Sequence, residues 1–71
     1  MELRIRDLRE DADLSQETLA ELLNVSQSTY SRYERGVLDI PCESLVTLAQ
    51  FYHTSVDYLV GLTKEKRPYR P

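Results

Sequence analysis

Two serines, Ser15 and Ser26, constrain the fold of this chain more than any other feature in it. Ser15 opens "SQETLAELL" and Ser26 opens "SQSTYSRYER". Serine is a strong helix N-cap because its hydroxyl accepts a hydrogen bond from a free first-turn N–H. Glu17 follows in the first turn of the earlier segment, where the helix dipole favours a carboxylate. Asn24 closes that segment, since asparagine tolerates a left-handed backbone, and Gly36 closes the later one. The sequence therefore predicts two short helices, residues 15–23 and 26–35, with a joint of about three residues.

So short a joint forces a sharp angle between the helices, the geometry of a helix-turn-helix. The residue types agree. Ala20 is small where the helices must cross closely, and Asn24 can take the turn. Leu19, Leu23, Val25, Tyr30 and Tyr33 supply the apolar contacts that lock the pair against the rest of the chain.

The remaining segments also read as helical. Ile5, Leu8 and Ala12 recur at three and four residues, predicting a first amphipathic helix that ends near Asp13. Leu22 joins Leu19 and Leu23 in the stripe of the second helix. Pro41 suits the first turn of a fourth helix, with Glu43 near its positive end and Leu45, Leu48, Ala49 and Tyr52 on its buried face. Ser55 caps a short fifth helix, "VDYLVG", that closes at Gly61. The expected fold class is all-α, a compact five-helix domain over residues 1–62. Residues 63–71, which carry charges and two prolines without a period, read as a basic flexible tail.

With 71 residues there is room for one domain. No apolar run approaches the roughly 18 residues of a membrane span, and "MELRIRDLRED" has no apolar stretch of a signal peptide. Cys42 is the only cysteine. One thiol builds neither a disulfide framework nor a zinc site, so it reads as a packing residue and the chain as cytoplasmic. His53 stands alone, which argues against a metal site and for the polar end of the fourth helix. The acids of the first helix, Asp7, Glu10, Asp11 and Asp13, read as a solvated face. No nucleophile–base pair, metal set or cofactor motif is visible, so an enzyme is not expected.

Turning Tyr30 and Tyr33 toward the core sends Gln27, Ser28, Ser31 and Arg32 the other way. Gln27 and Ser28 then lie in the first turn, the part of a recognition helix that reaches base edges. Glutamine pairs bidentately with adenine, and serine bonds several bases. Arg32 and Arg35 can meet phosphate or guanine. Gln16 sits beside free backbone N–H groups that welcome a phosphate oxygen.

"LREDADLSQETLAELLNVSQSTYSRYERG" resembles the phage-repressor (Cro and lambda repressor, or XRE-type) helix-turn-helix family. The later "DIPCESLVTLAQFYHTSVDYLVG" is similar to that family's fourth and fifth helices, notably "IP-x-E", "LAQFY" and "SVDYLVG". The likeness covers residues 3–62. It implies a transcriptional regulator that binds a double-stranded DNA operator, usually as a homodimer and here most simply a repressor. The family's DNA contacts fall on Gln16, Gln27, Ser28, Ser31 and Arg32, with Thr29, Tyr33 and Arg35 as additions. Its structural ion pair falls on Arg9 and Glu34. Two positions depart from the pattern: Asn24 stands where the family often has glycine, and Tyr30 where it often has isoleucine or valine. A tyrosine there must send its hydroxyl to the surface or to a partner, so it either reaches a phosphate or packs in the core.

The net charge of −3 sits awkwardly with DNA, because non-specific affinity comes from cations. The charge is polarised, however. Residues 1–36 carry five arginines and eight acids, residues 37–63 three acids and no cation, and residues 64–71 four cations and one acid. Few phosphates should be neutralised per subunit, and the basic tail is either a solvated end or an arm. Val56, Tyr58, Leu59, Val60 and Leu62 put apolar groups on more than one side of the last helix, which points to contact with a second subunit. The competing reading is a protein-interaction module, the same fold binding a toxin, protease or polymerase subunit through its acidic surface.

Overall fold

The computed structural model describes residues 3–68, and all regular structure in them is helical. The helices are α1 (Ile5–Asp11), α2 (Gln16–Leu23), α3 (Gln27–Arg35), α4 (Cys42–Phe51) and α5 (Val56–Leu59). Ser15, Ser26 and Ser55 each take an extended backbone and accept a hydrogen bond from the N–H three residues on, as their positions predicted. Pro41 lies one residue outside the predicted first turn: it is the N-cap of α4, which begins at Cys42.

Every helix stops in the same way. The chain turns left-handed at Asp13 (φ 56°), Asn24 (58°), Gly36 (74°), His53 (54°) and Gly61 (84°). At each, the next N–H reaches back to a carbonyl five residues earlier: Leu14 to Arg9, Val25 to Ala20, Val37 to Arg32, Thr54 to Ala49 and Leu62 to Asp57. This is the Schellman closure, which satisfies carbonyls that a helix end leaves free. The sequence reading located three of the five. It also put helix ends at Asp13 and His53 but not the left-handed turn there, since neither is glycine or asparagine, and it ran α1 two residues past its end at Asp11.

Ten residues form the buried apolar core: Ile5, Leu8, Leu19, Ala20, Tyr30, Tyr33, Leu45, Leu48, Ala49 and Leu59. All five helices contribute. Burying one large aliphatic side chain contributes about 1.5–3 kcal/mol, so a core this small leaves little to spare. Ala12 and Leu22 do not join it. Ala12 follows the end of α1 and is exposed, and Leu22 lies on the outer flank of α2 at 38% exposure. Both fit a 3.6-residue stripe, but the helix stops short of one and the core is too narrow to cover the other.

Arg4 joins the start of α1 to α5 and the residues just after it. Its N–H donates to Leu59 O at 2.9 Å. Its guanidinium donates to Tyr58 O at 2.9 Å and Thr63 O at 2.6 Å, and stands 4.3 Å above the centre of the Tyr58 ring. Nearby, the Thr54 hydroxyl donates to Lys66 O, so residues 63–66 follow the body. Tyr69, Arg70 and Pro71, part of the expected tail, lie outside the described residues.

A left-handed backbone costs a residue with a Cβ about 1–2 kcal/mol, which glycine largely avoids. His53 is exposed, so His53→Gly should raise stability by about 0.5–1 kcal/mol. Denaturant melts of the variant and wild type provide the check.

Candidate nucleic-acid interface

The geometry of α3 is organised around one carboxylate. Glu34 lies in its last turn, and its side chain is wholly buried. Arg9 of α1 grips it with a fork: Nε donates to Oε2 at 2.7 Å and Nη2 to Oε1 at 3.1 Å. The remaining terminal nitrogen of Arg9 donates to Leu14 O at 3.0 Å, fastening the turn that leads into α2. Gln16, the first residue of α2, donates from Nε2 to Glu34 Oε1 at 3.1 Å. Arg6 approaches the same oxygen at 3.6 Å. One carboxylate therefore holds α1, α2 and α3 at fixed angles, and the Arg9–Glu34 contact is a bidentate pair.

Burial by itself would raise the Glu34 carboxyl, but hydrogen bonds from Arg9 and Gln16, with the Tyr30 hydroxyl close by, outweigh it and hold the group below the ordinary carboxylate value. The Glu34 hydrogen bond in turn raises the Arg9 guanidinium, which stays charged. The Tyr30 side chain is fully buried one helical turn before Glu34. Its hydroxyl closes no hydrogen bond of full geometry, yet lies near enough to that carboxylate for the two to act on each other as donor and acceptor. Burial, with Glu34 adding to it, pushes this hydroxyl far above its usual value. Of the outlets open to a tyrosine here, the structure selects the internal one; Tyr30 does not reach the surface. Tyr52 is the second buried hydroxyl beside this cluster, pushed up to about 12, first by burial and then by Glu34.

Tyr30 and Tyr33 face inward, and the opposite side of α3 is open. Gln27, Ser28, Arg32 and Arg35 are exposed, while Thr29 and Ser31 are half-buried. Thr29 belongs partly to the cap: its N–H donates to Ser26 Oγ at 3.0 Å, and its hydroxyl accepts from Ser26 at 2.9 Å. Tyr33 corrects the sequence reading, which counted it among the DNA contacts. Its side chain is 5% exposed, because three residues along a helix return it to the face of Tyr30. Gln16 is half-buried, and one of its two amide N–H groups is committed to Glu34. The reading also missed Arg6, which stands beside the cluster at 54% side-chain exposure. Its signal was available: Arg6 lies three residues before Arg9 on the same helix.

The residues assigned to a second subunit divide. Leu62 is 78% exposed, and Val56, Tyr58 and Val60 are half-buried. Leu59 is 0% exposed, packed inside this chain, and cannot serve as an intersubunit contact. Among the described residues there is no cluster of three or more histidine, cysteine or acidic side chains suited to a metal, and no helix long and apolar enough to cross a membrane.

Two short helices at a sharp turn, one tied through its far end and polar on its open face, define a helix-turn-helix of the repressor type. Comparison with known proteins agrees: a family profile described as "Helix-turn-helix" matches residues 5–59. The chain belongs to this family, in its XRE-type form. It is similar to an uncharacterized HTH-type transcriptional regulator, YobD, of Bacillus subtilis, with 42% identity across 92% of this chain and 58% of the relative. It is similar to a cryptic phage CTXphi transcriptional repressor, RstR, of Vibrio cholerae, with 40% identity across 82% of this chain and 52% of the relative. A crystal structure of a transcriptional regulator from Listeria innocua superposes with a TM-score of 0.79 at 36% identity, covering 86% of this chain and 57% of that one. The chain thus spans about half the length of the curated relatives it matches.

Removing one member of a buried ion pair leaves the other uncompensated, at a cost of about 3 kcal/mol. Glu34→Gln should therefore lose about 3 kcal/mol in a chemical melt. Acid acts on the same bond. Because the folded Glu34 carboxyl lies below its ordinary value, the unfolded chain binds the proton more readily. The stabilisation is complete above the ordinary carboxylate range and fades as pH falls below that range and through the lower folded value. Melts of wild type against Glu34→Gln should draw together as pH falls from about 6 through the ordinary carboxylate range.

Proposed function

We propose that this chain is the DNA-binding unit, residues 1–62, of a sequence-specific transcriptional regulator, acting as a dimeric repressor. The observation that carries the reading is the division of α3: one face is buried in the core, while Gln27, Ser28 and Arg32 are exposed on the other. A helix so divided can enter the major groove with its first turn leading. Gln27 and Ser28 then read base edges, with Ser31 and Thr29 at the margin. Arg32 and Arg35 meet backbone or guanine. Gln16 offers its remaining amide N–H, next to the start of α2, to a phosphate. The family membership and the printed names of the relatives, regulators and a repressor among them, support this assignment.

Selecting bound duplexes from a random DNA pool should yield a defined sequence. Alanine at Gln27 or Ser28 should weaken that site by about 1–3 kcal/mol while binding to unrelated duplexes stays the same. Selection that enriches no sequence, or alanine variants that bind like wild type, would remove the recognition role of α3.

The dimer rests on the last helix and the residues after it. Leu62 is almost fully open, and Val56, Tyr58 and Val60 offer partial apolar surface beside it. Two-fold symmetry would place two half-sites about 34 Å apart, one turn of DNA. Sedimentation without DNA should show a dimer at micromolar concentration, and Leu62→Glu should shift it toward monomer with the fold intact. A wild-type monomer throughout that range would refute this arrangement. This reading puts the protein with the chromosome in the cytoplasm, where Cys42, exposed rather than packed as the sequence suggested, stays reduced.

A further inference from the structure

Around Glu34, not every nearby donor is spent on the carboxylate. Arg9 is spent: two of its nitrogens bind Glu34 and the third binds Leu14 O. Arg6 is not. Its closest approach to Glu34 is Nε at 3.6 Å, and its side chain is 54% exposed. Among the described residues no hydrogen bond occupies its terminal nitrogens. Gln16 likewise keeps one amide N–H free after donating to Glu34. Glu34 cancels one of the two guanidiniums and leaves the cluster with one positive charge.

Position matters as much as charge. Arg6 Nε and Gln16 Nε2 approach the same carboxylate oxygen, at 3.6 and 3.1 Å. Two nitrogens that share one oxygen lie within the span that two oxygens of a single phosphate can bridge. On the Arg6 side of the cluster an open groove of about 530 Å³ runs between α1 and the end of α3, lined by Arg6, Asp7, Glu34 and Arg35 but not by Gln16. We propose that Arg6 and Gln16 together clamp one phosphate of the DNA backbone, with Glu34 beneath them as the fixed base.

The clamp rests on the DNA-binding reading above and adds Arg6, from outside the helix-turn-helix, to its contacts. Glu34 would orient Gln16 and restrain Arg6 before DNA arrives, so little side-chain freedom is lost on contact. The acidic Asp7 in the same groove limits the clamp to one phosphate rather than a broad basic track. An acidic protein can bind a backbone in this way, through a few aimed cations.

The test compares wild type with Arg6→Gln, Arg6→Lys and Gln16→Ala on two probes: a duplex selected from a random pool and a random-sequence duplex. Arg6→Gln should weaken both by the same several-fold factor and reduce the slope of log affinity against log salt by about 0.9 per protomer. Arg6→Lys should retain the slope, and all three variants should show cooperative thermal unfolding. Replacing single phosphates of the selected duplex with neutral methylphosphonates should then find one position per half-site that wild type senses and that neither Arg6→Gln nor Gln16→Ala senses. An unchanged salt slope in Arg6→Gln, or separate phosphates for the two residues, would overturn the clamp while leaving DNA recognition in place. Failure of wild type to bind either duplex would remove both.

Discussion

The fold turns on a carboxylate placed where a DNA-binding helix should least tolerate one. Glu34 lies on α3, and an exposed carboxylate there would repel phosphate. It is instead wholly buried and forked by Arg9. The same pair that neutralises it ties α3 to α1, and Gln16 ties it to α2. Because the oxygens are out of water, replacement by solvent cannot offset the loss of any one donor. The angle between α2 and α3 is thus set at both ends, by the tight turn at Asn24 and by this cluster behind it.

Five left-handed closures explain how so short a chain folds back on itself so often. Each ends a helix and reverses the chain within a few residues. Three occur at residues that bear the steric cost of a Cβ, Asp13, Asn24 and His53. Packing supplies the compensation: the bond from Leu14 to Arg9 delivers the chain to Ser15, and that from Thr54 to Ala49 delivers it to Ser55. Both serines then cap the next helix. Stop and start are coupled, so the loops need little length. Arg4 serves the same end by joining the first helix to the last through Leu59, Tyr58 and Thr63.

Overall acidity and a nucleic-acid partner are compatible when charge is local. The net −3 is an average over surfaces that face different ways. Near Glu34, two arginines meet one carboxylate, and on α3 Arg32 and Arg35 are both exposed. Long-range attraction from such a chain is weak, since most fields are screened within about 10 Å in salt. Contact chemistry, not steering, would then carry affinity, and polar reading by Gln27 and Ser28 would carry selectivity.

Much of this architecture was legible in order of residues. Cap serines, Asn24, Gly36 and the apolar intervals reveal the helices, because capping and periodicity are local physics acting over a few residues. Family likeness named Arg9 and Glu34 as partners, and the structure supplied the distances. What the chain order could not decide was which of several equivalent-looking groups would be covered. Tyr33 was assigned both to the core and to the DNA contacts and lies inside, Leu59 was assigned to a surface and lies inside, and Leu22 and Ala12 were assigned inside and lie out. The fate of the Tyr30 hydroxyl, the fork on Glu34 and the liberty of Arg6 depend on three helices converging on one point. Sequence alone determined where helices begin and turn, since those choices are made between neighbours. Tertiary structure decided which polar groups are spent and which remain free, since donors far apart in the chain compete for the same oxygen only after it has folded.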